Sequence, residues 1–282
     1  MDGFIVINKP KGISSHDVCL KLRKELKINK IGHTGTLDPL ATGVLVIAVG
    51  KATKLIQYLE DQKKTYVADV LFGIDTDTYD ILGKVVNENL SFDLSNELID
   101  QELLKLKEER FQYPPIYSAI KVNGKKLYDY ALQNKEVKIE PRPIKIELLE
   151  RIDNYHDKKV KIRLCANKGF YVRSLIHDLG VNLKTYATMT DLCRIKAGGF
   201  TIDMANNLGD MYKLHSVEEV YANLDRIDVT DYMAKLVKNG VVLDERQYDK
   251  NEMFKVYNNN KLIAIYEPFA PNQYKLVVYL GD

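Results

Sequence analysis

Hydrophobic positions along the chain change their period several times, and each change marks an element. Phe4-Ile5-Val6-Ile7 is a short apolar run closed by Asn8-Lys9-Pro10-Lys11-Gly12, which reads as a strand ended by a turn. Val18, Leu22 and Leu26 then recur every fourth residue behind Ser14 and Ser15, the pattern of an amphipathic helix with a serine cap. Val44-Leu45-Val46-Ile47-Ala48-Val49 is continuously apolar, as expected of a strand buried on both faces. Residues 63–73 instead alternate apolar with polar positions, as a half-buried strand does. A short helix over Leu55 to Leu59, a surface helix over residues 94–109 and strands over 144–152 and 160–165 extend the pattern, followed by a loop over 167–176. Asp225 to Thr230 reads as a junction, and residues 231–282 as short strands with turns at Asn239-Gly240 and Asn258-Asn259-Asn260.

Composition sets the class. At 282 residues and 45% hydrophobic content the chain can fill one large core or a core plus a small appendage. No apolar run approaches the ~20 residues of a membrane helix, and Met1-Asp2-Gly3 lacks the regions of a signal peptide, so a cytoplasmic protein is expected. Cys19, Cys165 and Cys193 are odd in number and isolated, which argues against a disulfide framework and gives no zinc spacing. Asp75, Asp77 and Asp80 lack the glycine and distal glutamate of a calcium loop, so no metal is expected there either. The net charge is only +2, but Lys21, Arg23, Lys24, Lys27 and Lys30 cluster while residues 75–109 hold much of the acid. Such a local basic surface can hold phosphates, although lysines on an amphipathic helix can equally be a solvated face. Residues 112–128 interleave tyrosines and lysines around Pro114-Pro115, which offers stacking faces and phosphate partners together.

The stretch from Gly32 to Gly43 is the one least explicable by packing. Three glycines, one proline and three threonines cannot sustain a helix, so it reads as a loop just before the apolar 44–49 strand. It holds His33 and Asp38. Asp-Pro beside glycine is ordinary turn chemistry, but a carboxylate presented by a loop on a rigid strand is also well placed to react. A hydrolase pairing His33 with Asp38 is a third reading. It is disfavoured because no Gly-x-Ser-x-Gly elbow or metal-ligand cluster accompanies the pair.

The string GHTGTLDPLATGVL resembles the signature of the TruB family of tRNA pseudouridine synthases. Further segments resemble the same family: NKPKGISSHD its KPxGxSS motif, residues 73–80 its GxxTDTxDxxG motif, and residues 114–128 its PPxYSAxKxxGxxxY motif. Residues 168–175 resemble its KGTYIRSL motif, and residues 192–200 its LRRxRxGxF motif. The chain departs from the pattern at Leu132 and Cys193, where arginine is usual, at Asn134, where glycine is usual, and at Lys196, which also replaces an arginine.

The resemblance covers residues 3–200 and implies an α+β fold: a mixed, mainly antiparallel sheet with flanking helices over residues 1–228. A small β-rich PUA-like RNA-binding module would occupy residues 229–282. It implies isomerisation of uridine to pseudouridine, at uridine 55 of the tRNA T loop, by a base-flipping monomer without cofactor. Asp38 would be the catalytic carboxylate and Arg173 its ion-pair partner. Tyr66 would stack on the target base, Tyr171 and Leu192 would complete the base pocket, and His33 would fill the gap left by the flipped base. A non-catalytic module that binds structured RNA is the alternative of a different class.

Overall fold

The computed structural model describes residues 1–60, 62–133 and 135–281, so the departure at Asn134 lies outside the described residues. Its body is a nine-stranded sheet. The principal strands are β1 (Gly3–Lys9), β2 (Ile31–His33), β3 (Thr42–Val49), β4 (Lys64–Phe72), β5 (Ile146–Arg151), β6 (Lys159–Ala166), β7 (Ala187–Ala197) and β8 (Leu214–Ser216). They run in the order β5-β6-β4-β7-β3-β1-β8, with β2 added to β3 and Phe200–Thr201 added to β7. Every pairing is antiparallel except that of β7 with β3, where Cys193 faces Thr42 and Arg194 faces Gly43. Gly43 is required at that contact. It has φ +98°, and a Cβ there would stand 2.3 Å from the Arg194 carbonyl oxygen. The sheet is therefore the mixed, mainly antiparallel α+β core implied by the resemblance.

The central strand is buried on both faces, and the reason is visible in its alternation. Leu45, Ile47 and Val49 enter one core with Val18, Cys19 and Leu22 of helix α1 (Ser15–Leu26) and with the helices α2 (Asn96–Lys107) and α3 (Val172–Asn182). Val44, Val46 and Ala48 point the other way, into a second core with Leu55, Leu59, Ile265 and Val278. Each buried aliphatic side chain contributes about 1.5–3 kcal/mol relative to exposure, so β3 ties two layers together. Ser14 caps α1 in a reciprocal capping box with Asp17, which fixes where the helix starts.

Residues 225–279 form a second sheet from β9 (Asp225–Asp228), β10 (Leu243–Asp244), β11 (Phe254–Asn258), β12 (Lys261–Ala270) and β13 (Gln273–Tyr279), in the order β9-β11-β12-β13-β10. The division expected at 228/229 falls just after β9, which already pairs with β11. This sheet has its own core, with Val237, Phe254, Val256 and Tyr266. Among the described residues, no helix is long and apolar enough to cross a membrane.

Three local expectations are corrected. Residues 231–238, read as part of a run of short strands, form the helix Asp231–Lys238, capped by the Thr230 side chain. His33 ends strand β2, paired with Ile47, rather than lying in the loop. The expected loop over 167–176 stops at Tyr171, because Val172, Ile176 and Leu179 bury one face of α3 and put Arg173 in its first turn.

β1 ends in a buried cation. Lys9 is 0% exposed, and its ammonium donates to the carbonyls of Pro10 (2.9 Å), Ile13 (2.7 Å) and Pro39 (3.4 Å). This stitches the end of β1 to the loop before β3. Lys9→Met is expected to cost about 2–4 kcal/mol in urea denaturation, because buried carbonyls lose their donor. Burial also pulls the Lys9 ammonium from 10.5 down to about 8, with nearby Asp38 opposing and Arg194 adding to the shift. The folded state then binds fewer protons than the unfolded chain between these values, so stability from Lys9 grows as pH rises through them. The wild type's advantage over Lys9→Met should widen from pH 8 to pH 10.

Candidate active site

The loop before β3 is held at four points, and between them it presents Asp38. Ser15, buried at the start of α1, accepts from the Leu37 amide (2.8 Å) and donates to the Leu37 carbonyl (3.1 Å). Lys9 and the Gly12 amide both donate to the Pro39 carbonyl. Arg194 on β7 is 2% exposed and donates to the carbonyls of Val44 (2.7 Å), Gly35 (3.1 Å) and Thr36 (3.4 Å). The fourth point is Asp38 itself, whose Oδ2 lies 3.0 Å from Nε of Arg173.

Arg173 is the hub. Its Nη1 donates to the Thr78 carbonyl (3.1 Å) and sits 3.5 Å from the Asp80 carboxylate, while its Nη2 donates to the Tyr117 carbonyl (3.2 Å). Arg173 is 6% exposed, whereas the Asp38 side chain keeps 37% of its surface open. A buried, multiply bonded guanidinium thus fixes a carboxylate that can still be reached. Asp80 is held in turn by the Thr78 hydroxyl (2.9 Å) and the Leu82 amide (3.0 Å).

The open edge of Asp38 faces a cavity of about 530 Å³. Tyr66, Tyr171, Leu192 and His33 line it together with Asp38 and Arg173, so all six residues singled out from the sequence meet in one place. Tyr66 on β4 stands opposite Arg194 on β7, and Leu192, two residues before Arg194, shares its face of the pleat. Tyr117, Lys126 and Tyr128 of the tyrosine-lysine segment close the other side. Burial, helped by the Arg194 charge, holds the His33 imidazole below its usual range. The Gly35 amide donates to its Nδ1 at 3.4 Å, which leaves the proton on Nε2. Burial pushes the Tyr171 phenol up.

Two residues of the site, Asp80 and Arg194, lie within motifs noted in the sequence but are given no role there. Asp80 reads there as one of three clustered acids, yet each has a separate use. Asp75 pairs with His177 (3.0 Å) and Asn87 (3.2 Å), Asp77 accepts from the Lys84 amide (2.8 Å), and Asp80 meets Arg173. Arg194 stands between the departures at Cys193 and Lys196, and it is the arginine of that segment that the loop relies on. Lys21, Lys24, Lys27 and Lys30 of the basic cluster are exposed, while Arg23 is half-buried. Leu132 is exposed at the end of the short helix Leu127–Leu132.

Known proteins share both the sequence and the fold. The family model for the TruB family pseudouridylate synthase (N terminal domain) matches residues 23–172, and that for the tRNA pseudouridylate synthase B C-terminal domain matches residues 173–239. The chain is 43% identical over 275 residues to the tRNA pseudouridine synthase B of Fusobacterium nucleatum subsp. nucleatum, covering 94% of this chain and 95% of that one. It is 39% identical over 271 residues to the protein of the same name from Clostridium perfringens, covering 92% of each. The fold is shared with a chain of a Cbf5-Nop10-Gar1 complex, at TM-score 0.71 and 24% identity over 96% of this chain and 79% of that one. With one family model matching over half of its length and relatives this similar from end to end, the chain belongs to the TruB family of pseudouridylate synthases.

Proposed function

We propose that the protein isomerises uridine to pseudouridine in the T loop of tRNA, at position 55, with Asp38 as the catalytic carboxylate. The observation that carries this reading is the Asp38–Arg173 pair at 3.0 Å on the edge of an aromatic-walled cavity large enough for a nucleoside. The reaction breaks the bond from uridine N1 to C1′, turns the base and rejoins it through C5, with the C5 proton lost and N1 protonated. It is redox-neutral and needs no co-substrate.

Each step has a residue to serve it. The Asp38 carboxylate acts as nucleophile or base at the sugar or base, held in place by Arg173. Tyr66 stacks on the uracil, and Tyr171 and Leu192 complete a wall that keeps the detached base from water. Flipping a uridine out of a folded loop costs a few kcal/mol of unstacking. His33, whose imidazole is held below its usual range by burial, fills the vacated space as a ring rather than as a phosphate-binding cation. The same reading takes the chain as a cytoplasmic monomer. Residues 229–282, joined by strand β9, would be a PUA-like module that touches the RNA outside the T loop. The direct test is pseudouridine mapping in unmodified tRNA after incubation with the purified protein. Modification at position 55 is expected, and an unmodified T loop would refute the reading.

Asp38→Asn should abolish turnover while RNA affinity is kept, since the amide preserves shape and loses the nucleophile. A comparable rate in this variant would remove Asp38 from the mechanism. Arg173→Ala should be nearly as inactive and lose about 3–5 kcal/mol of stability, chiefly because Asp80 is left buried without its partner. Chemical denaturation of the variant measures that loss.

Salt dependence should separate the basic helix from His33. Neutralising Lys24 and Lys27 should weaken RNA binding and flatten its salt slope by about 0.7 for each phosphate that no longer meets a cation, with the saturated rate little changed. His33→Ala should slow turnover of folded T-loop RNA at an unchanged slope. A reduced slope in His33→Ala would make the imidazole a phosphate ligand instead.

A further inference from the structure

Residues 113–133 and 135–141 form an excursion from the body of the protein whose two ends meet in a narrow neck. The neck is a two-stranded ladder, Phe111–Gln112 against Arg142–Pro143, in which Gln112 faces Arg142. Residues of this excursion, Tyr117, Lys126 and Tyr128, form one wall of the cavity, and Lys121, Lys125 and Lys126 are exposed on it. What joins the excursion to the chemistry is the side chain of Gln112. It is 5% exposed, its Nε2 donates to the Tyr171 carbonyl (3.0 Å), and its Oε1 accepts from the Tyr171 amide (2.8 Å).

An amide that both donates to and accepts from one residue copies a β-ladder pair with a side chain, and it fixes the partner's backbone in two directions. Tyr171 is the residue that precedes α3, and the helix offers no side-chain cap of its own there. Two residues later comes Arg173. Two more hydrogen bonds lie alongside: Ser174 donates to the Tyr113 carbonyl (2.9 Å), and Arg173 donates to the Tyr117 carbonyl (3.2 Å). The start of α3 and the start of the excursion are thus laced together, with Gln112 at the root.

We propose that Gln112 is a positioning residue for the isomerisation: its amide sets the backbone of Tyr171 and thereby the placement of Arg173 on Asp38. This rests on the reaction proposed above and extends it. An anchor that only tied the excursion down would act on RNA binding. A positioning residue acts on the rate once RNA is bound.

The test uses the full chain with Gln112→Leu, which leaves an apolar side chain of broadly similar bulk and removes both bonds, and with Gln112→Glu, which keeps only the acceptor. Unmodified tRNA is the probe, with the dissociation constant, the saturated single-turnover rate and the melting temperature measured for each. Displacing catalytic groups by a fraction of an ångström costs rate steeply, so the saturated rate of Gln112→Leu should fall on the order of tenfold or more. Its dissociation constant should stay within about threefold, because the lysines and the excursion remain. Gln112→Glu should lie between Gln112→Leu and wild type, and both variants should remain folded at the assay temperature. A Gln112→Leu protein with the wild-type saturated rate would overturn the proposal, as would a loss confined to the dissociation constant. If the wild type makes no pseudouridine in tRNA, it is the parent reading that fails. If the wild type is active and Gln112→Leu matches it, only the positioning role of Gln112 falls.

Discussion

The Arg173 guanidinium carries five N–H groups in a rigid fork, and at 6% exposure it cannot turn them to water. It is stable in this position only because three separate chain segments bring acceptors to it: Asp38 from the loop before β3, Thr78 and Asp80 from the acidic turn, and Tyr117 from the excursion. The constraint runs both ways. Removing the cation would strand a buried carboxylate, and moving any of the three segments would leave part of the fork unpaired. A lysine could not replace it, since a single ammonium cannot span acceptors placed at four points. The sheet, α3, the acidic turn at 76–80 and the start of the excursion at Tyr117 are thereby held in register around one carboxylate.

Two further buried cations serve the loop that carries that carboxylate. Lys9 and Arg194 direct their donors to backbone carbonyls, Pro39 from one side and Gly35 and Thr36 from the other. Glycine-rich sequence makes the loop possible, because it accepts close backbone approaches such as that of Gly43 to Arg194. The same freedom would leave Asp38 wandering. Fixing its flanks from β1, α1 and β7 removes the freedom while 37% of the side-chain surface stays open.

The sheet was legible wherever pattern length was enough. The continuous apolar run of β3 and the alternation of β4 announced a doubly buried strand and its neighbour, and Ser14 announced the start of α1. The start of α3 was not legible, because Gly169-Phe170-Tyr171 leads into it and no Ser, Thr, Asp or Asn caps it. The Tyr171 backbone is instead held from a distance by Gln112, through hydrogen bonds that no local window contains. Asp38, Arg173, Tyr66, Tyr171, Leu192 and His33 were singled out through the resemblance of their motifs, and the fold brings them to one cavity. Asp80 and Arg194 fell within quoted motifs, but their roles stayed unassigned. A carboxylate among neighbouring acids and an arginine in a strand reveal their use only when the partner is seen.

Asp38 is placed by one guanidinium acting as a unit with Asp80, and a double-mutant cycle measures that coupling. Single-turnover rates at saturating tRNA would be taken for wild type, Arg173→Lys, Asp80→Asn and the double variant. Groups that work through a shared partner lose function once, so the double variant should be about as slow as the slower single variant. Losses that multiply, each substitution having its full effect in the presence of the other, would show that Asp80 acts independently of Arg173 and would contradict the account.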